Sequence, residues 1–329
     1  MSDIKIFHDN DADLSLLNGL TVGVIGYGSQ GRAQALNMRD SGVKVIVGVR
    51  QGPSFEKAKE DGFAVFSVKE AAEQADIIHI LLPDEKQGDI YKNEIEPCMK
   101  AGKILSCSHG FNICFKYIVP PADVDVIMTA PKAPGTEVRK TYEAGFGVPG
   151  LVAAHQDASG KAKQIALAIA KAEGLTRAGV LECTFEQETY EDLFGEQAVL
   201  CGGTVELIKA GFETLTEAGY PPEMAYFECL HELKLIVDLI YEGGIQKMNE
   251  VISNTAEWGE YVTGAKLIDA GVKAKMKEVL NDIESGKFAR EWMEEVHNGA
   301  TVLKKKREDL GAHPIEIVGK KIRSLFEKK

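Results

Sequence analysis

The chain has 329 residues, 44% hydrophobic and 27% charged, which excludes a largely disordered protein and suggests two domains. Its 38 basic side chains against 50 acidic ones leave a net charge of −12, which argues against nucleic acid and anionic membrane as partners. The six cysteines (Cys98, Cys107, Cys114, Cys183, Cys201, Cys229) form no CxxC pair or zinc-like spacing, the N-terminus has no apolar leader, and no run of 18 apolar residues occurs, so a reduced, cytoplasmic chain is expected.

Residues 20–26 (LTVGVIG) form a short run rich in β-branched side chains and read as a strand. Residues 29–39 then read as a helix and 43–49 (VKVIVGV) as a second strand. The strand type recurs at 77–82, 103–106 and 124–129. Residues 146–154 and 179–183 read as late strands of the same sheet, with a helix over 158–173 between them. Apolar strands alternating with helices predict a Rossmann-type, doubly wound parallel sheet buried on both faces. After Cys183 the pattern becomes long helices, at 186–218, 222–241, 264–285 and 288–310. Pro221 and Pro222 stand at a helix start, where a missing N–H costs little. An α/β half followed by an all-α half predicts two domains, 1–182 and 183–329.

Gly26-Tyr27-Gly28-Ser29-Gln30-Gly31 joins the first strand to the first helix. In such a turn one glycine permits the bend, the second lets the backbone approach a pyrophosphate, and the third lets helix and strand pack closely. The helix N-terminus then offers free N–H groups to the phosphates. The spacing also fits a merely tight turn, but the strand–turn–helix setting favours a dinucleotide. The second strand ends without an acid, as Val49-Arg50-Gln51-Gly52-Pro53-Ser54-Phe55. Arg50 and Ser54 suit a 2′-phosphate and favour NADP. Glu56 lies within reach of ribose hydroxyls, and Arg50 also fits a solvated loop charge. Three more segments follow predicted strands at the sheet's carboxyl edge, where ligands bind. They are Asp84-Glu85-Lys86-Gln87, Ser108-His109-Gly110-Phe111 and residues 130–135 (APKAPG). His109 and Lys132 are therefore candidates for touching substrate or nicotinamide.

In the helical half, Asp192 and Glu196 are spaced i,i+4, and so are Glu228 and Glu232. On a helix each pair shares a face, with Cβ atoms about 5–6 Å apart. Like charges so close repel unless a cation lies between them, and hard divalent ions favour oxygen ligands. Four such carboxylates could hold two ions. Their small and apolar flanks, among them Leu193, Phe194, Leu230 and Leu233, suggest that not all four face water, although acidic pairs are also common as solvated surface charges.

Together these segments resemble the ketol-acid reductoisomerase family, the acetohydroxyacid isomeroreductases, in its short form with one helical domain. The resemblance rests on GYGSQG at 26–31, LLPDEKQ at 81–87, SHGFNI at 108–113, VPPADVDVIMTAPKAPG at 119–135, DLFGEQAVLCGG at 192–203, FECLHELKLIVDLIYEGG at 227–244 and ISNTAEWG at 252–259. It covers nearly the whole chain, in order. It implies that Asp192, Glu196, Glu228 and Glu232 bind two Mg2+ ions, with Glu196 also a proton shuttle. Ser253 would contact the substrate carboxylate, and His109 and Lys132 would lie in the active site. Gly26, Tyr27, Gly28, Ser29, Gln30, Gly31, Arg50, Ser54, Asp84, Glu85, Lys86, Gln87, His109 and Gly135 would line the NADPH or NADH site.

The resemblance further implies a knotted helical domain and a homodimer, or a larger homo-oligomer built on dimers, whose active sites use both subunits. The implied reaction is Mg2+-dependent alkyl migration and reduction of small 2-acetolactate-class acids in branched-chain amino-acid biosynthesis. One departure concerns the loop after Arg50, which is a residue shorter than usual, with Pro53 where a serine is expected. This predicts use of NADH as well as NADPH. Two other readings are another NAD(P)-dependent hydroxy acid dehydrogenase with a helical second domain, and a non-catalytic cofactor sensor. The first would need no Mg2+, and the second would have no use for four paired carboxylates.

Overall fold

The computed structural model describes residues 5–326; residues 1–4 and 327–329, the outer ends of the two expected domains, lie outside the described residues. The chain forms two compact units that divide between Glu191 and Asp192.

The first unit is built on β1 Ile6–Phe7, β2 Thr21–Ile25, β3 Lys44–Gly48, β4 Ala64–Phe66, β5 Ile77–Ile80, β6 Ile104–Cys107, β7 Asp125–Pro131, β8 Gly150–Gln156 and β9 Val180–Glu182. They form one sheet in the order β1-β9-β8-β7-β6-β5-β2-β3-β4. The six strands from β7 to β4 run parallel, as the apolar runs predict. Two features differ from expectation. The short β1 and β4 were not predicted, and β8 pairs antiparallel with β7. The residues between β7 and β8 begin and end on one sheet edge, where Lys132 N–H bonds the Pro149 carbonyl at 2.9 Å. The predicted strand at 146–154 therefore starts only at Gly150, beyond Pro149, which has no N–H to give a ladder.

Helices α1 Ser29–Asp40, α2 Pro53–Glu60, α3 Val68–Gln74, α4 Asp84–Ile90, α5 Phe111–Cys114, α6 Gly135–Glu143 and α7 Ala162–Ala172 complete this unit. One apolar cluster joins α1, α6 and α7 to one face of the sheet, through Val22, Val24, Met38 and Ile169 among others. A second lies on the opposite face, with Ile25, Ile46, Ala71, Ile78 and Ile80. The chain leaves β2 towards β3 on one side and resumes at β5 on the other. That reversal makes the carboxyl ends of β2 and β5 the switch point of a doubly wound sheet.

The second unit is helical: the end of α8 Phe185–Phe194, then α9 Gly202–Glu217, α10 Pro222–Tyr226, α11 Glu232–Val251, α12 Asn254–Leu267, α13 Ala270–Glu284, α14 Lys287–His297, α15 Thr301–Gly311 and α16 Pro314–Phe326. Each long predicted helix is interrupted. Wide π-turns occupy Gly195–Leu200 and Phe227–His231. Gly244 (φ +81°) breaks α11 just beyond the predicted end at Tyr241. Asp269 caps a new helix by accepting the Gly271 and Val272 N–H groups, which splits the pattern at 264–285. Gly299 and Ala300, both at positive φ, split the one at 288–310. The unit's own core is small: Phe212, Ala225, Tyr226, Ile315 and Ile322. Among the described residues no helix is long and apolar enough to cross a membrane, and all six cysteines are free thiols.

Candidate active site

The glycine-rich turn lies at the switch point. Gly26 has φ +103°, and a Cβ there would stand 2.7 Å from the Leu81 carbonyl oxygen. At Gly31 it would stand 2.3 Å from the Gly26 carbonyl oxygen, so only glycine lets α1 begin this close to β2. At Gly28 it would meet nothing within 4 Å. The first and third glycines are thus required by the protein itself, whereas Gly28 and Ser29 face solvent across a cradle that a side chain would fill. This is the division of roles expected where a pyrophosphate approaches the backbone.

Of the other residues expected to line a dinucleotide, Gly135 packs against Ser29, where a Cβ would stand 2.4 Å from the Ser29 carbonyl oxygen. Gln30 donates to the Ala133 carbonyl at 2.9 Å. Tyr27 turns its side chain away from the cradle. Its ring is buried and its hydroxyl donates to Asp61, 2.9 Å away, on which Arg32 also bonds. Desolvation, reinforced by the Asp61 carboxylate, raises the phenol pKa; with the ring buried and its hydroxyl on Asp61, the part of Tyr27 left at the cradle is its backbone. Gln87 is buried too and closes the start of α4 by bonding the Leu82 carbonyl and Asp84. Glu85 is half-buried and Lys86 exposed at the same helix start. Arg50 and Ser54 are exposed, and Pro53 is the first residue of α2.

The structure adds a residue that the sequence reading passed over. Glu188 has a side chain only 1% exposed, between His109 and Lys132. One carboxylate oxygen lies 3.0 Å from His109 Nδ1 and 3.2 Å from the Gly110 N–H, and the other accepts from Lys132 Nζ at 3.0 Å. Burial alone would raise its pKa, but the hydrogen bond and charge of His109, with Lys132, outweigh burial and hold the carboxyl below its ordinary range. An ionised carboxylate only accepts, so His109 donates from Nδ1, and in the neutral ring Nε2 is then an acceptor. Two strand-end side chains far apart in sequence are fixed by one buried anion. The available signal was that Glu188, like Glu196, stands four residues from Asp192.

Asp192 is half-buried, while Glu196, Glu228 and Glu232 are exposed. Glu196 and Glu228 both lie in the π-turns. A π-turn closes i→i+5 rather than i→i+4, so the helix is locally widened beside Asp192 and Glu232, the other member of each pair. Such turns are frequent at functional sites. Among the described residues the four carboxylates do not gather into one cluster of ligand atoms within a single chain. Ser253 is the N-cap of α12, its Oγ accepting from the Ala256 N–H at 3.2 Å.

Comparison with known proteins settles the family. The model of the acetohydroxy acid isomeroreductase NADPH-binding domain matches residues 16–179, and that of the ketol-acid reductoisomerase C-terminal domain matches 185–328. The chain belongs to the ketol-acid reductoisomerase family. A ketol-acid reductoisomerase (NADP(+)) of Akkermansia muciniphila is 72% identical over 325 residues, covering 99% of this chain and all of the relative. A ketol-acid reductoisomerase (NAD(+)) of an uncultured archaeon is 60% identical over 332 residues, again 99% of this chain and all of the relative. A solved NADH-preferring ketol-acid reductoisomerase from an uncultured archaeon superposes with a TM-score of 0.96 at 60% identity, over 98% of this chain and 100% of that one. The Rossmann-type sheet and helical second half expected from the sequence are thus those of the ketol-acid reductoisomerase family.

Proposed function

We propose that the chain is an NAD(P)H-dependent, Mg2+-dependent ketol-acid reductoisomerase of the cytoplasm. In this reading it converts 2-acetolactate and its 2-aceto-2-hydroxybutyrate homologue to 2,3-dihydroxy-3-methyl acids for branched-chain amino-acid synthesis. The observation that carries the reading is the carboxyl edge of the sheet. There the open cradle at Gly28 is tied, through Gln30–Ala133 and Ser29–Gly135, to the segment carrying Lys132, and Glu188 joins Lys132 to His109.

The donor set of the helical unit fits divalent cations, being four hard carboxylates in two i,i+4 pairs that solvent can reach. Asp192, Glu196, Glu228 and Glu232 would hold two Mg2+ ions, whose chemistry is to acidify a hydroxyl and polarise a ketone, and the dinucleotide would supply hydride. Glu196 takes the proton from the C2 hydroxyl of the 2-hydroxy-3-keto acid. The C2–alkyl bond breaks as the C3–alkyl bond forms, C2 becomes the ketone, and the proton returns to the oxygen on C3. A hydride supplied by the bound dinucleotide, with a second proton, would then reduce the new C2 ketone to the diol. Ser253 accepts from its helix N–H and so keeps its O–H to donate to the substrate carboxylate, which the α12 N-terminus also favours. His109 and Lys132, fixed by Glu188, orient the substrate beside the nicotinamide.

Because the four carboxylates do not converge within one chain, the reading requires a partner copy to complete each site. The helical unit's uncovered apolar residues, Leu235, Tyr241 and Trp258 among them, favour such a homodimer. The test is an assay of 2-acetolactate with NADPH and with NADH, with and without Mg2+. Cation-dependent formation of the dihydroxy acid is expected. Simple reduction of the ketone without rearrangement, or full turnover after chelation, would instead favour an ordinary hydroxy acid dehydrogenase.

A further inference from the structure

The sheet interior holds a polar chain that the reaction above does not use. His79 on β5 and Ser106 on β6 are fully buried and paired in the sheet register, with His79 Nδ1 2.7 Å from Ser106 Oγ. His79 Nε2 lies 2.7 Å from Oε1 of Gln34, which is fully buried on α1. Gln34 Nε2 donates to Gln30 Oε1 at 3.0 Å, and Gln30 Nε2 to the Ala133 carbonyl at 2.9 Å. Ser108 Oγ donates to Gln34 Oε1 at 3.1 Å.

One backbone acceptor sets the direction of the whole chain. The Ala133 carbonyl can only accept, so Gln30 turns its NH2 group towards it and its oxygen towards Gln34. Gln34 must meet that oxygen with its own NH2 group, which turns its oxygen to His79 and Ser108. His79 then has to donate from Nε2, leaving Nδ1 to accept from Ser106. Burial lowers the His79 pKa to about 4 and pushes the carboxyl of Glu173, the titratable group 3.8 Å from Nε2, well above its usual range. Burial thus disfavours the charged form of each, and with it an ion pair between them.

The chain joins three segments of the candidate site. Gln30 belongs to the glycine-rich turn, Ala133 follows Lys132, and Ser108 precedes His109. We propose that Gln34 is a positioning residue, its amide locking the glycine-rich turn to the two strand-end segments that carry Lys132 and His109, with His79 as the neutral donor that keeps the amide in that orientation. This rests on the dinucleotide reading of the turn. A buried amide held at both its oxygen and its nitrogen is rigid, and losing one of those partners inside the protein is costly. Small displacements of substrate-positioning groups can cost up to about a hundredfold in rate.

The experiment has two arms. In the wild-type protein, the ring of His79 is assigned by the loss of one 15N-histidine NMR signal in His79→Gln. The Nε2–H tautomer is expected, and an Nδ1–H tautomer would overturn the proposal. In the second arm, NADPH and NADH affinities are measured by nicotinamide fluorescence, and kcat is measured at saturating cofactor. Gln34→Leu is expected to weaken cofactor binding about tenfold and to lower kcat by about ten- to a hundredfold. His79→Gln, which keeps a donor towards Gln34, should stay within about threefold of wild type. If Gln34→Leu does not fold, Gln34→Glu keeps the acceptor, loses the donor towards Gln30, and should show the same losses. A folded Gln34 variant with wild-type affinity and kcat would overturn the proposal. Wild-type protein that bound neither dinucleotide would overturn the reading of the turn, while the tautomer would still report the direction of the chain.

Discussion

The two units treat the same kind of apolar side chain in opposite ways. In the sheet unit Val22, Val24, Ile77 and Ile78 are completely buried, and helices from the same chain cover both faces. In the helical unit Leu235 is 53% exposed, Trp258 68% and Tyr241 89%, and the buried cluster is small. Helical periodicity names a face to be covered without naming what covers it. An exposed apolar surface of this kind marks an interaction site. On the proposed reading the sheet unit carries its binding edge complete, whereas the helical unit's carboxylates and apolar faces would be completed by the same partner.

The largest effects should follow from removing the carboxylates, since on the proposed reading they would break a site that two subunits share. Asp192→Asn and Glu228→Gln should each lower turnover at least about a hundredfold while circular dichroism and Tm stay near wild type. Co-expression of the two inactive variants should restore part of the activity, because hybrid assemblies contain some sites with all four carboxylates intact. No recovery from verified hybrids would mean that each site draws its carboxylates from one chain.

Next in size is the apolar face. Paired Leu235→Asp and Tyr241→Asp changes put charges where a partner would be desolvated, so light scattering should show a smaller species and turnover should fall at least about tenfold. Dinucleotide affinity should change little, because the sheet unit's core is closed by its own chain. An unchanged assembly would show that these residues lie outside the interface.

The contrast also explains what the sequence could disclose. The glycine turn, the alternation of strand and helix, and the strand-end positions of His109 and Lys132 depend on local spacing, and all were legible. Glu188 was not, because its partners His109 and Lys132 stand 79 and 56 residues away and no local pattern marks them. The π-turns at Glu196 and Glu228 were hidden because one extra residue per turn scarcely alters an apolar period. Strand β4 is three residues at the sheet edge, one exposed and two half-buried, too short to show alternation. The reversal of β8 depends on where the segment after Lys132 ends, which is a tertiary fact.

Glu188→Gln tests the sheet unit's own edge. The amide cannot accept from His109 and Lys132 as a carboxylate does, so a stability loss of about 1–3 kcal/mol is expected, together with a raised KM for substrate. The pH dependence has a definite sign. The folded-state pKa of Glu188 is lowered, so its contribution is complete above the carboxyl's unfolded value and is lost as pH falls through the folded one. Denaturant titrations from pH 6 down to 2 should therefore show a shallower acid-side decline in the variant. Parallel curves would mean that His109 and Lys132 do not stabilise the ionised form.

The smallest effect should be at the loop after β3, where cofactor choice is expressed as a ratio. Arg50 and Ser54 are exposed there, and α2 starts at Pro53 directly after Gly52, which has φ +146°. A 2′-phosphate at this helix start would find the Arg50 guanidinium, the Ser54 hydroxyl and the Ser54 N–H, but no donor from Pro53. The two curated relatives, at 72% and 60% identity, are named for NADP(+) and NAD(+) respectively, so family membership leaves the preference to this loop. A hydrogen bond to a charged group contributes roughly 1.5–3 kcal/mol, and about 1.4 kcal/mol is a factor of ten. Arg50→Ala should therefore lower kcat/KM for NADPH by about ten- to a hundredfold and for NADH by less than about threefold, since NADH has no phosphate to lose. Pro53→Ser, which restores both a hydroxyl and an N–H, should move the ratio the opposite way by up to about tenfold. Equal losses for both cofactors in Arg50→Ala would show that the arginine supports the loop without reading the phosphate.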